Sequence, residues 1–141
     1  MAVEVDALRR VRFLAPLKDR AIRRLAQDMS ELTAVPGEEI VTQGRDAVAF
    51  FVILEGSATV LVNGREQNTL GPGDHFGEIA LVLPEIAHSR TATVRADSDM
   101  RVGAMAEWNF KGFIAEHPEV TWPLLVTLAR QLAKSGTTGD Q

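Results

Sequence analysis

The sequence contains no cysteine at all. This absence excludes disulfide bonds, thiolate metal sites and a cysteine nucleophile, and it fits a reducing compartment, so we expect a cytoplasmic protein. Long apolar runs are also missing, because the opening MAVEVDALRRVRFLAPL carries charges through its apolar positions. The sequence therefore predicts neither a secretory leader nor a membrane-spanning segment, and we expect no membrane partner.

Positive charge is scarce as well. The formal net charge is −4, with 15 lysines and arginines against 19 aspartates and glutamates. A domain that holds nucleic acid through many phosphates is expected to be basic. We therefore expect no direct contact with nucleic acid.

What remains is the composition of one soluble globular domain. The chain has 141 residues, of which 45% are hydrophobic and 24% charged. A domain of this size buries about two-thirds of its unfolded surface and needs no covalent staples. We predict a domain over residues 1–135 and a flexible polar tail over 136–141.

Helical periodicity marks both ends of the domain, with helices expected over 1–32 and 107–135. A short helix is predicted around Val5 to Phe13. A second helix has an apolar face at spacings of three and four, formed by Leu17, Ala21, Leu25, Met29 and Leu32. Arginines fall on its other side, where a charged face usually meets water: Arg20, Arg23 and Arg24.

The last helix contains Pro123, which has no N–H to donate, so the helix either starts near Thr121 or is kinked there. An apolar stripe along it is predicted to pack into the core. Its members are Trp122, Leu125, Leu128 or Ala129, and Leu132.

Between the helices, residues 33–106 read as short antiparallel strands. Apolar runs alternate with turn signals such as Asn63-Gly64, where both residues tolerate positive φ. The run AFFVIL is apolar on both faces and is predicted to be a central strand. Closely spaced strands and turns are typical of a sandwich or barrel.

The stretch GPGDHFGE holds three glycines and one proline, followed by the helix-forming run EIALVL. Backbone N–H groups at a helix start after Gly77 attract an anion, and Arg90 can add a two-pronged contact to phosphate oxygens. Glu78 would be repelled by phosphate but can accept a hydrogen bond from a ribose hydroxyl. These residues suit one phosphate charge and one sugar, although a solvated Glu78 and an exposed Arg90 are the ordinary alternative.

The combination GDHFGEIAL…SRTATVRA resembles the phosphate-binding cassette of the cyclic-nucleotide-binding domain family. The resemblance extends over nearly the whole chain and implies an α+β fold. That fold is an antiparallel β-roll (a double-stranded β-helix, jelly-roll-like) of about eight strands, with N-terminal helices and two C-terminal helices. The cassette would cover residues 73–93.

The resemblance also implies a role for each matching residue. Arg90 would bind the phosphate oxygens and Glu78 the ribose 2′-hydroxyl, while Gly77 lets the ribose approach. Backbone N–H groups of Ala80 and Thr91 would complete the phosphate cradle. The remaining ligand-binding positions implied are Phe76, Ile79, Ala92, and Val60 and Leu70 beside the purine. The implied protein is a non-catalytic sensor of cyclic AMP (cAMP), with cyclic GMP (cGMP) as a further ligand, no cofactor, and an effector that the sequence does not name.

One departure and three alternatives stand beside this interpretation. Eleven residues separate Glu78 from Arg90, which makes the cassette loop slightly longer than the closest family pattern. The alternatives are a sensor fragment of a catabolite-activator-type transcription regulator, a domain that has lost its ligand, and a cupin-like metal enzyme. A cupin site needs two or three converging histidines. This chain has only three histidines and no H-x-H pair, and we interpret His75 and His88 as surface or hydrogen-bonding residues.

Overall fold

The computed structural model describes residues 3–44, 49–77 and 92–139. These residues form an α+β structure in which two antiparallel sheets pack face to face and helices cover one outer face. The predicted fold class, a β-roll with N-terminal and C-terminal helices, is confirmed. No helix within these ranges is both long and apolar enough to cross a bilayer.

The N-terminal helical region is more broken than the sequence indicated. Helix α1 spans Val5–Arg9 and is followed by a separate 3₁₀ turn, Arg12–Leu14, in place of one helix reaching Phe13. Val11 between them has extended backbone angles. The break lets Val11, Phe13 and Leu14 all bury their side chains in the core.

Helix α2 spans Asp19–Asp28 and buries Ile22, Leu25 and Ala26, while its arginines face solvent as predicted. The predicted apolar face is wrong at its last member, because strand β1 begins at Ser30 and Leu32 is 46% exposed. Backbone pairing with strand β8, with Leu32 opposite Val102, replaces helical hydrogen bonds there. The helical region therefore ends before residue 30 rather than at 32.

Eight strands form two four-stranded sheets in the described part of the chain. They are β1 (Ser30–Ala34), β2 (Glu39–Val41), β3 (Ala49–Glu55), β4 (Ala58–Val62), β5 (Arg65–Leu70), β6 (His75–Phe76), β7 (Thr93–Ala96) and β8 (Met100–Ala106). The strand order is β1-β8-β3-β6 in one sheet and β2-β7-β4-β5 in the other. The sheet with β3 lies in the middle, with helices on one side and the second sheet on the other.

Strand β3 divides the protein into two hydrophobic cores. Its side chains alternate between the faces of the sheet, as strand geometry requires. Phe50, Val52 and Leu54 join a core beneath the helices, which we call the helix-side core. Phe51 and Ile53 join a core between the sheets, which we call the inter-sheet core. The prediction that AFFVIL is a central strand is thus confirmed.

The hairpin between β4 and β5 turns at Asn63-Gly64. Both residues have positive φ, 53° and 80°, and Val62 pairs directly with Arg65. This is the two-residue connection whose twist matches that of the flanking strands. The predicted hairpin is therefore confirmed, and it fixes the register of these two strands.

Two helices follow the last strand. Helix α3 spans Glu107–Glu116, and helix α4 spans Thr121–Gly139 after a 3₁₀ turn at Pro118–Val120. The start at Thr121 places Pro123 in the first turn, where its missing N–H has no intrahelical partner to lose. Helix α4 also passes the predicted end of the domain at residue 135. Its backbone is helical as far as Gly139, and the flexibility of the tail over 136–141 stays a prediction.

The apolar stripe predicted for α4 is wrong in phase. Trp122 is 71% exposed and Leu125 is 52% exposed. Val120 and Leu124 are buried instead, and Leu128 packs against the helix-side core one turn further on. The spacing of four between these three residues sets the buried face, which keeps Leu128 of the predicted stripe and turns Trp122 and Leu125 toward solvent.

Candidate functional site: the inter-sheet wall

The predicted ligand-binding residues divide into two groups. Val60, Leu70, Phe76, Gly77 and Ala92 lie in the described part of the chain. The others fall outside the described residues: Glu78, Ile79, Ala80, Arg90 and Thr91. The site is therefore built here from its apolar wall and from the two ends of the segment 78–91.

Val60 and Leu70 lie on the same face of two paired strands. Val60 on β4 is opposite Asn68 on β5, and Ala58 is opposite Leu70. Because alternate residues of a strand share a face, Val60 and Leu70 both point toward the inter-sheet core. Leu70 is buried there and Val60 packs against the same cluster. The structure thus brings together the two residues predicted to form the wall beside a purine.

Phe76 reaches the same core from the other sheet. It pairs with Phe51 across β6 and β3, and the two rings are stacked with centroids 5.0 Å apart and planes 17° apart. Gly77 follows directly and has a φ of 96°, a conformation in which a Cβ atom is strained. Glycine is therefore the residue that lets the chain leave β6 in this direction.

The segment 78–91 ends beside the same wall. Ala92 is half-buried and immediately precedes β7. Val94 on β7 lies directly opposite Val60 on β4. The segment therefore leaves from Gly77 on one sheet and returns at Ala92 on the other, and both of its ends adjoin the inter-sheet core.

Side-chain hydrogen bonds hold the return strand in place. The Gln43 backbone N–H donates to Oγ1 of Thr93 at 2.9 Å. The Gln43 side chain donates to Oδ1 of Asn63 at 3.0 Å, and the Asn63 backbone N–H donates to Oε1 of Gln43 at 2.8 Å. Gln43 thus connects the start of β7 to the hairpin turn and fixes the frame around Ala92.

Arg95 is the cation of β7, but it does not face the wall. It pairs with Thr59 on β4, and alternation puts it on the face opposite to Val60. Its guanidinium lies 3.6 Å from a carboxylate oxygen of Glu66 and 3.7 Å from one of Asp97. Arg95 therefore cannot replace Arg90 on the inter-sheet side.

Helix α4 provides cover at the edge of the wall. It contacts β5, the strand that ends in Leu70, and it contacts the 3₁₀ turn Arg12–Leu14. Leu128 on this helix packs against the helix-side core. The helix therefore spans from the edge of the inter-sheet wall to the N-terminal turn.

Of the two alternatives predicted for His75, a surface or a hydrogen-bonding residue, the structure contradicts the surface location. His75 is fully buried on the helix side of β6, and it is not a surface residue. Its ring contacts those of Phe13 and Phe50, at centroid distances of 5.4 and 5.5 Å, and these two rings contact each other at 5.9 Å. The burial of His75 could have been inferred from its position in a short strand between two cores, because both residues of such a strand are buried. His88 lies outside the described residues.

A second concavity lies between helices α2 and α3. It encloses about 550 Å³, and none of its lining residues belongs to the strands that carry Val60 and Leu70. Its charged side chains balance, with Lys18, Arg20 and Arg24 against Asp28, Glu116 and Glu119. Its charges therefore favour neither an anionic nor a cationic ligand.

Across residues 3–44, 49–77 and 92–139, no group of three or more histidine, aspartate or glutamate side chains is placed to hold a metal ion. His75 lies against phenylalanine rings. His117 lies 3.5 Å from a carboxylate oxygen of Glu119 and beside the Phe113 ring. These surroundings do not support the cupin-like alternative at either histidine.

The β-roll with its N-terminal and C-terminal helices defines the fold class, and comparison with known proteins gives the family. The chain belongs to the cyclic nucleotide-binding domain family, whose model matches residues 31–117. The predicted resemblance is confirmed. The matched range includes both sheets and helix α3.

Two curated relatives illustrate the match. A cAMP-dependent protein kinase regulatory subunit from Yarrowia lipolytica is 29% identical over 121 residues, which is 86% of this chain and 26% of the relative. Potassium/sodium hyperpolarization-activated cyclic nucleotide-gated channel 4 from Oryctolagus cuniculus is 34% identical over 83 residues, 59% of this chain and 7% of the channel. The chain spans about a quarter or less of the length of these relatives.

Solved structures share the fold. A cAMP-bound PfPKA-R fragment has a TM-score of 0.78 at 23% identity, covering 94% of this chain and 46% of that one. The regulatory subunit of a cAMP-independent protein kinase A from Trypanosoma brucei has a TM-score of 0.76 at 24% identity, covering 92% and 46%. A putative cyclic nucleotide-binding protein from Geobacter metallireducens has a TM-score of 0.73 at 21% identity, covering 93% and 96%.

Proposed function

We propose that this chain is a non-catalytic sensor module that binds a cyclic nucleotide, with cAMP as its principal ligand and cGMP as a second one. The observation that carries the proposal is the convergence at the inter-sheet wall. Val60, Leu70 and Phe76 meet in one core, and the segment 78–91 begins and ends beside it. Membership of the cyclic nucleotide-binding domain family supports this assignment.

The polar half of the proposed site comes from the segment 78–91. Glu78 directly follows Gly77, and Arg90 precedes Ala92 by two residues. Since consecutive Cα atoms are about 3.8 Å apart, the Cα of Arg90 lies within about 7.6 Å of that of Ala92. Chain connectivity therefore keeps both charged residues near the apolar wall.

Each polar residue has a distinct proposed task. Arg90 contributes a charge-assisted, two-pronged contact to the cyclic phosphate. Glu78 accepts a hydrogen bond from the ribose 2′-hydroxyl, and the N–H groups of Ala80 and Thr91 donate to phosphate oxygens. Val60 and Leu70 contact the purine.

Helix α4 is proposed to relay nucleotide binding. Its contacts with β5 and with the turn Arg12–Leu14 support this role, because they join the edge of the wall to the N-terminal region. If α4 has two positions and the nucleotide contacts it in only one of them, binding increases the population of that position. The effector is a separate segment or protein, since the matched kinase and channel relatives are several times longer than this chain. A transcription regulator that contains this sensor is a further alternative for the effector.

A second candidate is a sensor of the same fold that does not respond to cAMP. The Trypanosoma brucei neighbour supports it, because it has a similar fold and belongs to a cAMP-independent kinase. This candidate predicts a folded domain without affinity for either cyclic nucleotide. Titration separates it directly from the first.

Calorimetric titration with cAMP, cGMP and AMP tests the proposal. We expect cAMP to bind and AMP to bind much more weakly, because the open phosphate of AMP carries an extra charge near Glu78. Arg90→Ala removes a charge-assisted contact worth about 1.5–3 kcal/mol, so cAMP affinity falls by at least about tenfold. Glu78→Gln weakens binding less, since an amide oxygen still accepts a hydrogen bond.

Arg95→Ala is the matched control, because it removes an arginine close to Arg90 in the chain but on the outer face of β7. We expect it to bind cAMP like the wild type. Equal affinity for cAMP and AMP, or normal binding by folded Arg90→Ala, would show that the cassette assignment is wrong. The absence of binding to both cyclic nucleotides would favour the second candidate.

A further inference from the structure

Four aromatic rings contact one another in the helix-side core, one of them from β6, and the rings of Phe13 and Phe50 also contact each other edge-on at 5.9 Å. The rings of Phe13 and His75 have centroids 5.4 Å apart at 82°, and those of His75 and Phe50 are 5.5 Å apart at 30°. Phe50 is stacked on Phe110 of α3, with centroids 4.5 Å apart and planes 22° apart. These ring contacts therefore join strand β6 to the N-terminal turn Arg12–Leu14 and to helix α3.

Strand β6 directly precedes Gly77 and the segment that carries the proposed phosphate and ribose contacts. It consists of His75 and Phe76, whose side chains lie on opposite faces of the strand. Phe76 lies in the inter-sheet core, while His75 lies among the rings on the helix side. A shift or rotation of β6 therefore displaces a side chain in each of the two cores.

Strand β6 is paired with β3 at both of its residues, Val52 opposite His75 and Phe51 opposite Phe76. On its N-terminal side, the Ile53 N–H on β3 donates to the Asp74 carbonyl at 2.8 Å, and the Ile53 carbonyl accepts from the Gly73 N–H at 2.9 Å. Gly77 follows β6 and leads directly into the segment 78–91. A change in that segment therefore acts directly on a strand of two residues.

In a close-packed core, a displaced side chain moves its neighbours, because little empty space is available to accommodate the displacement. Protein interiors are close-packed, so neighbouring rings respond to a displaced ring by moving to another arrangement. His75 is fully buried and contacts two phenylalanine rings. An aliphatic side chain could also fill this position by apolar packing. The property that His75 shares with its phenylalanine neighbours is a flat aromatic ring.

We propose that His75 is a positioning residue that transmits nucleotide occupancy from Gly77 to both helical ends of the domain. One branch runs through Phe13 to the N-terminal turn. The other runs through Phe50 and Phe110 to helix α3. This inference rests on the proposed function and adds a route that does not pass through α4.

Hydrogen exchange at saturating cAMP tests the route. In the wild type, we expect cAMP to change exchange in peptides covering residues 10–17 and 107–117. In His75→Leu, which keeps apolar volume but removes the flat ring, both changes fall by at least half while cAMP still binds. In His75→Phe, which keeps a ring, both changes are retained.

Two further variants separate the branches from general damage to the core. Phe13→Leu should lose the change in residues 10–17 and keep that in 107–117. Phe113→Leu is the matched control, because Phe113 is buried in the same core but has its ring contact with His117. It should keep both changes. Circular dichroism verifies that each variant is folded, and the Phe13 variant tests the route if His75→Leu does not fold.

The outcomes distinguish this inference from the function on which it rests. If the wild type binds no cyclic nucleotide in the calorimeter, the proposed function fails and the route fails with it. If the wild type binds but folded His75→Leu keeps both exchange changes at saturation, only the route is overturned. Equal losses in His75→Leu and Phe113→Leu would also overturn it, because the effect would then belong to core packing in general.

Discussion

The two cores on either side of β3 are assembled in different ways. The inter-sheet core is made by strands and by turns between them, and Phe51, Phe76 and Leu70 enter it through regular alternation. The helix-side core collects residues from the N-terminal helices, β3 and both C-terminal helices. In the proposed function, the inter-sheet core contacts the ligand and the helix-side core contains the segments that respond to it. The proposal therefore puts binding and response on opposite faces of a single sheet.

The largest expected effect comes from a matched pair of ring deletions. Phe76→Ala and Phe110→Ala each remove a buried, stacked phenylalanine, one from each core. Both should lower the free energy of unfolding by about 3–5 kcal/mol. Only Phe76→Ala should also weaken cAMP binding, under conditions where both variants are folded. Urea unfolding measures the stability of each variant, and calorimetry measures its cAMP affinity. Equal loss of cAMP affinity in the two variants would break the proposed division between the cores.

Truncation after Ala129 is expected to have the next largest effect. It removes the end of α4, including Leu132, but leaves both sheets and the residues of both cores. We expect the β-roll to stay folded by circular dichroism and cAMP affinity to fall by about tenfold, or ~1.4 kcal/mol. Binding should not disappear, because the proposed phosphate contacts remain. Full affinity in the truncated chain would show that residues 130–141 do not contribute to nucleotide binding.

A smaller effect is expected at Thr91. Its hydroxyl is predicted to reach the 2-amino group of a bound guanine, and a hydrogen bond of this kind contributes about 0.5–1.5 kcal/mol. Thr91→Ala should therefore weaken cGMP binding more than cAMP binding in parallel titrations. An equal change for both nucleotides would remove Thr91 from base selection.

The smallest effect concerns an ion-pair cluster that joins strands β1, β8 and β3 of the central sheet. Arg101 on β8 makes a two-pronged contact with Glu31, at 2.9 and 2.8 Å, and contacts Glu55 at 2.5 Å. Hydrogen bonding from Arg101 lowers the pKa of Glu31 below its ordinary value of 4.5.

Because the folded pKa of Glu31 is depressed, its stabilising contribution is present above pH 4.5 and is lost as pH falls through the folded value. The stability difference between the wild type and Glu31→Gln should therefore be constant near neutral pH and shrink below pH 4.5. Thermal unfolding across this pH range measures it. A difference that grows on acidification would contradict the assigned pKa direction.

The predictions that agree best with the structure concern features that are set locally. Strand alternation in AFFVIL and the turn preference of Asn63-Gly64 fixed β3 and the hairpin without knowledge of any distant contact. Val60 and Leu70 then followed from family resemblance, and the structure places them on one face. The roles of Glu78 and Arg90 stay predictions.

The errors lie where distant segments decide the outcome. The buried face of α4 depends on how Val120 and Leu124 meet the helix-side core, so an apolar stripe alone did not reveal its phase. Likewise, β1 begins at Ser30 because β8 is available for pairing, a partner some seventy positions away in the chain. The surface location predicted as one alternative for His75 was wrong, since its surroundings, Phe13 and Phe50, come from two other elements.

The positions of the aromatic residues have an optical consequence. The sequence has two tryptophans and no tyrosine. Trp108 and Trp122 lie on α3 and α4 and are 74% and 71% exposed. Intrinsic emission excited at long ultraviolet wavelengths therefore comes entirely from the helical side, and the inter-sheet wall is optically silent. Quenching by acrylamide, read separately in Trp108→Phe and Trp122→Phe, would follow each C-terminal helix without any attached dye.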